Sequence, residues 1–337
     1  MKAYRLHSFN GPSGIQSEEL PSPRPGPGQV LVRVRAVSLN YRDLLISKGL
    51  YNPRLPLPRI PVSDGAGEVQ EAGPGVTRFR SGDRVAANFM PQWVDGEIDD
   101  TKARSALGGE VDGMLAQEAV LPETGLVHVP EHLTFEEAAT LPCAALTAWN
   151  ALFESGRVKP GDTVLTQGSG GVSTFAVQFA HLVGARVIAT SSRDDRLERL
   201  TTLGAVAGIN YKAMPEWDRR VVELTGGRGV DHVVEVGGAG TLLRSLRAVR
   251  RGGYVALIGV LAGLGEVNPM PILMRAIRVQ GIFVGSRTMF EAMNRAIAVG
   301  GFHPVIDRVF EFSQAVEALQ YMVSGSHFGK IVIRVGE

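Results

Sequence analysis

The 337-residue sequence predicts an α/β protein in which a doubly wound parallel sheet follows a β-rich portion. Three observations predict it. Residues 162–196 read as strand, glycine turn, helix and strand. Strand-like and helix-like segments then alternate as far as residue 284. Residues 1–125, by contrast, carry period-two apolar alternation and turn residues with little helical periodicity.

In the first of these units, residues 163–167 are β-branched and apolar enough for a buried strand. Gly168, Gly170 and Gly171 follow, then Val172, Phe175, Ala176, Phe179 and Val183 at helical spacing, with Gly184 placed as a C-cap. Residues 187–189 supply the next strand. A chain that turns this tightly into a helix N-terminus presents free N–H groups to a dinucleotide pyrophosphate. Ser173 stands where the third glycine of G-x-G-x-x-G belongs and is small enough for the same helix–strand packing. A nucleophile elbow needs G-x-S-x-G, and Gln167 two residues before Ser169 excludes it.

An NAD site needs an acidic group after the second strand to accept the ribose hydroxyls. The chain has Thr190, Ser191, Ser192 and Arg193 there, then Arg196, all donors suited to a 2′-phosphate. NADPH is therefore the expected cofactor, while Asp194 and Asp195 would serve NAD if they turned inward.

Earlier in the chain, residues 30–37 alternate as a strand, and Pro21, Pro23, Pro25 and Pro27 exclude a helix before it. Residues 40–49 suit one short helix, and 65–69 and 83–87 suit strands. Residues 89–113 are polar and aperiodic, a long loop of the kind that carries binding function. Thr134 to Glu137 form a capping-box pattern that opens a helix through the apolar stretch 138–152. Beyond the glycine turn, strands are expected at 207–210, 230–236, 254–260 and 279–284, with helices at 193–202, 215–224, 241–250 and 271–276. The tail suits helices at 286–299 and 313–323 and a strand at 330–335. Residues 279–284 read as apolar on both faces. As the last strand of an open sheet they would pair with a second copy in a homodimer, or be covered by a helix.

The net charge is +1 and no basic block occurs, so neither nucleic acid nor a membrane surface is an expected partner. A single cysteine, Cys143, precludes an intrachain disulfide, and no apolar run has the length of a membrane span or of a leader. The expected location is cytoplasmic.

Several motifs together carry a resemblance: Gly67-Glu68-Val69, Ser81 to Val85, Asp112 to Ala116, Leu141 to Trp149, the glycine turn, Ile209-Asn210-Tyr211 and Phe328-Gly329-Lys330. Over nearly its whole length the chain resembles the medium-chain dehydrogenase/reductase superfamily, on its zinc-free quinone oxidoreductase and enone reductase side. The resemblance implies a GroES-like β-barrel catalytic domain (1–126), a Rossmann cofactor domain (127–284) and a C-terminal return to the first (285–337), with cofactor and substrate held between the domains. It implies cofactor contacts from Thr147, Gly168, Ser169, Gly170, Gly171, Val172, Ser191, Ser192, Arg193, Arg196, Tyr211, Gly237, Gly259, Phe283, Val284 and Lys330. Arg196 and Tyr211 would hold the 2′-phosphate. The catalytic-zinc positions of the superfamily correspond to Asn40, Ser63 and Cys143. One thiol, even with Asp64 adjacent, does not make three ligands, so no metal is expected and Cys143 reads as a small packed residue. Asn40-Tyr41-Arg42-Asp43 with Gly49-Leu50-Tyr51 resembles the N-x-x-D…G-x-Y stretch lining the substrate site. Asn40 and Tyr51 are thereby the catalytic candidates, although Tyr51 on its own residues reads as a half-exposed loop aromatic and only the resemblance gives it a function.

Oxidising a plain alcohol requires a metal or a strong base to stabilise the alkoxide. Adding hydride to a quinone or an α,β-unsaturated carbonyl requires only hydrogen-bond donors for the oxygen that gains charge. The expected activity is NADPH-dependent reduction of such a small molecule. A zinc-independent alcohol dehydrogenase and an NADPH-binding protein with a non-enzymatic role are the alternatives.

Overall fold

Period-two alternation makes Gln29–Ser38 the spine of a seven-stranded sheet. It pairs antiparallel with Asp64–Ala72 along its length, with Glu118–Pro122 over its first half, and with Lys330–Arg334 at its end. Ile306–Glu311 adds in parallel beyond Lys330–Arg334, and Arg84–Ala87 with Leu126–His128 extend the other side. Val30, Val32, Val34 and Val37 share one core with Leu319, Ile331 and Ile333, so apolar burial as well as hydrogen bonding draws the C-terminal segment in. This is the first of two units in the computed structural model, which describes every residue except 260, 262–264 and 337. It comprises Met1–Leu146 and Gly285–Glu337; the second comprises Thr147–Val284.

The second unit is a doubly wound sheet of six parallel strands. Their order is Ala205–Asn210, Arg186–Ser191, Thr163–Gln167, Val230–Glu235, Val249–Leu257 and Arg278–Gly281. Thr163–Gln167 is buried at every residue, as a central strand covered on both faces must be. The order reverses beside this strand, and ligands of such sheets bind at the carboxyl ends there. Helix Gly171–Leu182 leaves from that end.

The structure departs from the sequence reading in particular places. The Thr134–Glu137 capping box forms, but its helix stops after Phe135–Ala138. Wider π-type turns follow at Leu141–Ala145 and Asn150–Glu154, around one α turn at Leu146–Trp149. Pro142 has no N–H with which to continue an α ladder. Residues 127–146 lie in the first unit rather than beyond a boundary at 126, because Leu126–His128 pairs with Arg84–Ala87 and the Cys143 N–H donates to Asp64. Val249 and Arg250 begin a strand and do not end a helix, since Arg250 reaches the buried Asp231. That strand stops at Leu257, and Val260 lies outside the described residues. The last strand, Arg278–Gly281, is short and mostly exposed, with a neighbour on one side only, so it is not apolar on both faces. Lys2–Leu6, Ile15–Glu19, Glu118–Pro122, Leu126–His128 and Ile306–Glu311 are strands that the sequence pattern does not single out. A short helix, Asp100–Ala103, interrupts the long loop. Among the described residues, no helix is long and apolar enough to cross a membrane.

Asp231 anchors the parallel sheet. Its Oδ2 accepts from the Thr163 N–H at 2.9 Å and Arg228 Nη1 at 3.0 Å, and its Oδ1 from Arg228 Nη2 and Arg250 Nε, both at 2.6 Å. Burial by itself would raise the carboxyl pKa, but these donors overcome it and hold the group well below the usual range. A carboxyl depressed in this way stabilises the fold above its unfolded pKa of about 4, and that stabilisation is lost as pH falls towards the folded value. Asp231→Asn is expected to cost about 3 kcal/mol at neutral pH, because it leaves buried donors and charges uncompensated. The variant is also expected to flatten the fall of the urea midpoint below about pH 4. An unchanged midpoint at neutral pH contradicts this account.

Candidate active site

Helix Tyr41–Ser47 begins just after the spine strand ends and places Asn40 at its N-cap in an extended conformation. Asp43 Oδ2 accepts the Asn40 N–H at 2.8 Å, as the N3 acid of a capping box does. Asn40 Oδ1 accepts from Lys330 Nζ at 2.5 Å, while Asn40 Nδ2 reaches Ser63 Oγ only at 3.5 Å. Lys330 is 3% exposed and also donates to the Leu39 carbonyl at 2.6 Å. Asp64 Oδ2 lies 4.0 Å from the ammonium and accepts the Cys143 N–H at 3.1 Å, and Asp64 Oδ1 accepts from Ser63 Oγ at 2.7 Å. Asn40, Ser63, Asp64 and Lys330 thus form one buried polar group, with the half-buried Cys143 against it through its N–H.

Its electrostatics follow from burial. Desolvation raises the Asp64 pKa despite Lys330 and three hydrogen-bond donors. Asp43 is pushed up to about 6, again by burial, with Arg42 and the Asn40 N–H opposing. Asp43 Oδ1 is buried without a hydrogen-bond partner. Burial, reinforced by the charge of Asp64, raises the Cys143 thiol. Tyr51 stands apart from this group, 43% exposed, its ring 5.0 Å from the Arg42 guanidinium. Arg42 also lies over Phe89 at 4.7 Å and donates to the Leu107 carbonyl at 2.8 Å. This ties the helix to the long loop.

In the second unit, Gly168 has φ +75°, and a Cβ on Gly168 or Gly170 would meet nothing within 4 Å. The turn therefore opens onto free space. Gly170, the N-cap of Gly171–Leu182, offers no side-chain cap to the first helical N–H groups. Open space above uncapped N–H groups fits a pyrophosphate. Ser173 faces the other way, its Oγ donating to the Gln167 carbonyl at 2.6 Å. Ser169 is buried, and Val172 is half-buried on the first turn of the helix.

A buried carboxylate that the sequence reading missed organises this end of the sheet. Glu235 Oε1 accepts the Gly237 and Gly238 N–H groups at 2.8 and 3.0 Å. Glu235 Oε2 accepts from Gln167 Nε2 at 2.8 Å, linking the glycine turn to the loop after the fourth strand. Periodicity gives no signal for such a residue, because every position of Val230–Glu235 is buried. A Cβ at Gly237 would meet Thr241 Oγ1 at 2.1 Å, and one at Gly259 the Val236 carbonyl at 2.4 Å. Both positions thus have a packing reason to be glycine.

After the second strand, Arg193 is bidentate to Asp195 at 2.9 and 2.6 Å, and Asp194 accepts from Asn210 Nδ2 at 2.8 Å. Both acidic residues are engaged locally. Arg196 lies on the first turn of Asp194–Thr202. Ser191 is buried and its carbonyl accepts the Tyr211 N–H at 3.0 Å; Ser192 is half-buried and the Tyr211 ring is exposed. Thr147 is buried, Phe283 is partly exposed, and Val284 is buried with its carbonyl accepting from Asn150 Nδ2 at 2.7 Å.

A parallel sheet with this turn at its switch point, joined in one chain to a β-rich unit holding a buried polar group, defines a dinucleotide-dependent oxidoreductase as a class. Comparison with known proteins makes the family specific. Residues 26–131 match the alcohol dehydrogenase GroES-like domain, and residues 171–298 match the zinc-binding dehydrogenase domain. A zinc-type alcohol dehydrogenase-like protein of Schizosaccharomyces pombe is 46% identical, covering 98% of this chain and 99% of its own. The crystal structure of an NAD-dependent alcohol dehydrogenase superposes with TM-score 0.92 at 36% identity over 100% of both chains. That of the Pseudomonas syringae pv. Tomato quinone oxidoreductase does so with TM-score 0.84 at 28% identity over 99% of both. The chain belongs to the medium-chain dehydrogenase/reductase superfamily, oxidoreductases with GroES-like and Rossmann parts that bind a nicotinamide cofactor.

Zinc does not fit the residues at the corresponding positions. An amide and a hydroxyl stand at Asn40 and Ser63, burial disfavours the Cys143 thiolate, and the Lys330 ammonium lies beside the Asp64 carboxylate. Among the described residues, no three His, Cys, Asp or Glu side chains gather to hold a metal ion.

Proposed function

We propose that this protein is an NADPH-dependent reductase of quinones or α,β-unsaturated carbonyls that works without zinc. The observation that carries the reading is the buried Lys330 ammonium against Asn40 and beside Asp64, with hydrogen-bond donors at the positions of metal ligands. When bound, the nicotinamide supplies hydride. Asn40 Nδ2 donates to the substrate oxygen that gains charge, and the Tyr51 phenol anchors the carbonyl or delivers the proton an enolate needs. A hydroquinone anion is a stable product that solvent protonates, so quinones demand less of Tyr51.

Asp43 favours a second reading. Its buried carboxyl with a pKa of about 6 and an unpartnered oxygen suits a metal-independent base for alcohol oxidation. A screen of NADPH oxidation with quinones, enones and enoyl thioesters against NAD⁺ or NADP⁺ reduction with alcohols separates the two. Turnover only with alcohols overturns the reductase.

NADPH is the preferred cofactor in this reading, held at its 2′-phosphate by Arg196 and Tyr211, with Asp194 and Asp195 committed to Asn210 and Arg193. Wild-type kcat/KM is expected to be higher with NADPH than with NADH, and Arg196→Ala to lower the NADPH value by about tenfold or more, as loss of a charge-assisted bond does. Equal values for the two cofactors in the wild type sink the assignment.

Asn40→Ala is expected to lower kcat by up to about 10²-fold on the best acceptor, the effect of one lost oxyanion donor. Tyr51→Phe is expected to cost about 10²-fold with enones and much less with quinones. Wild-type rates in both variants refute this pair of donors.

The exposed last strand, Arg278–Gly281, has an unpaired edge suited to two-fold pairing with a second copy, so a homodimer is part of the proposal. Light scattering at micromolar concentration is expected to give twice the chain mass. An active monomer there contradicts it.

A further inference from the structure

The geometry points to Lys330 as the residue that fixes which way round the Asn40 amide lies, and so decides that the site offers a donor and not an acceptor. The inference rests on the reading of Asn40 as the oxyanion donor. It assigns Lys330 a task different from the cofactor contact that the resemblance implies.

Lys330 opens the strand that pairs with the end of Gln29–Ser38, and the Ile331 carbonyl next to it accepts from the Leu39 N–H at 3.0 Å and Ser38 Oγ at 3.1 Å. The chain leading into Asn40 is therefore held rigidly against the start of that strand. From there Lys330 Nζ spends two of its donors on the Leu39 carbonyl at 2.6 Å and Asn40 Oδ1 at 2.5 Å. An ammonium has donors only, so the amide must present its carbonyl oxygen to it. The amide nitrogen is thereby turned the opposite way.

On that other side, Asn40 Nδ2 faces Ser63 Oγ at 3.5 Å and the Asp64 carboxylate. Ser63 itself donates its proton to Asp64 Oδ1 at 2.7 Å, and the Asn40 amide is a further donor to Asp64. Asp64, 4.0 Å from Nζ, balances the ammonium without taking it from Asn40. An amide NH₂ carries two hydrogens, so an amide turned this way can serve Ser63 and Asp64 with one and a substrate oxygen gaining negative charge with the other.

Oxygen and nitrogen of an amide occupy nearly the same space, so sterics do not choose between the two orientations. Removing the ammonium also strips the Leu39 carbonyl of its donor. The Asn40 NH₂ then competes for that carbonyl, and the flipped amide presents its own oxygen to the substrate oxyanion. Loss of Lys330 should consequently approach loss of Asn40.

The test is a double-mutant cycle on purified full-length protein, with 9,10-phenanthrenequinone and an α,β-unsaturated ketone as acceptors. NADPH affinity is read separately by fluorescence titration. Lys330→Met is expected to lower kcat by about 10- to 10²-fold and to leave NADPH affinity within about twofold of wild type. Combined with Asn40→Ala, it is expected to add no more than about twofold to the loss from Asn40→Ala alone. Lys330→Arg, which keeps charged donors at that place, is expected to recover part of the rate. If Lys330→Met does not fold, Lys330→Met with Asp64→Asn removes both buried charges together and enters the same cycle. Losses that multiply in the double variant overturn the inference while leaving Asn40 as the donor. So does Lys330→Met acting on NADPH affinity with kcat unchanged. Wild-type rates in Asn40→Ala overturn the proposed donor and the inference with it.

Discussion

Antiparallel pairing of Lys330–Arg334 with the end of Gln29–Ser38 is the constraint on which the polar group of the first unit depends. The register sets Val332 opposite Ser38, and apolar burial of Ile331 and Ile333 with the valines of the spine strand makes a slip costly. A shift of one residue would turn those isoleucines to the other face and move Lys330 out of reach of Asn40. The polar contacts are thus positioned by the hydrophobic core and do not themselves hold the sheet together. A buried ammonium is tolerated only because carbonyl, amide and carboxylate oxygens surround it.

The second unit meets the same problem with acids. Asp231 and Glu235 sit four residues apart on the fourth strand, one near each end, and both are buried. Asp231 is saturated by two arginines and the Thr163 N–H, whereas Glu235 is saturated by backbone N–H groups, a Gln and hydroxyls. The first ties strands and the second shapes the loops at the carboxyl end of the sheet. Breaking such a network by removing one partner is costly, because the remaining groups have no water to turn to.

In the proposed reading an amide and an ammonium stand where a divalent cation would act, and that changes what a site can stabilise. A metal polarises an oxygen directly and lowers the barrier to forming an alkoxide. A preorganised N–H donor acts instead on charge that develops elsewhere in the substrate, and it does so in a dry setting where its dipole is worth more than in water. The proposed chemistry follows from that difference, as does the demand that the amide be held in one orientation.

Much of the fold was legible in the sequence. The alternation of Gln29–Ser38, the β-branched run of Thr163–Gln167, the glycine turn with its helix, and the Thr134 capping box all follow from local periodicity and backbone preference. Short strands such as Leu126–His128 and Ile306–Glu311 were not legible, because three to six residues carry too little pattern to stand apart from a loop. Resemblance located Asn40, Ser63 and Cys143 as one group, and the expectation that they supply too few ligands for zinc came from side-chain chemistry alone. Tertiary structure decided what surrounds them. It put Lys330 against Asn40 across 290 residues of chain, left Tyr51 apart on the surface, committed Asp194 and Asp195 to neighbours, and buried Glu235 behind the glycine turn. Sequence determines what each segment prefers to be, since that is settled by backbone and side chain over a few residues. Which distant donor meets which buried acceptor is settled only when the core closes around them, because partner and desolvation are properties of the packed chain.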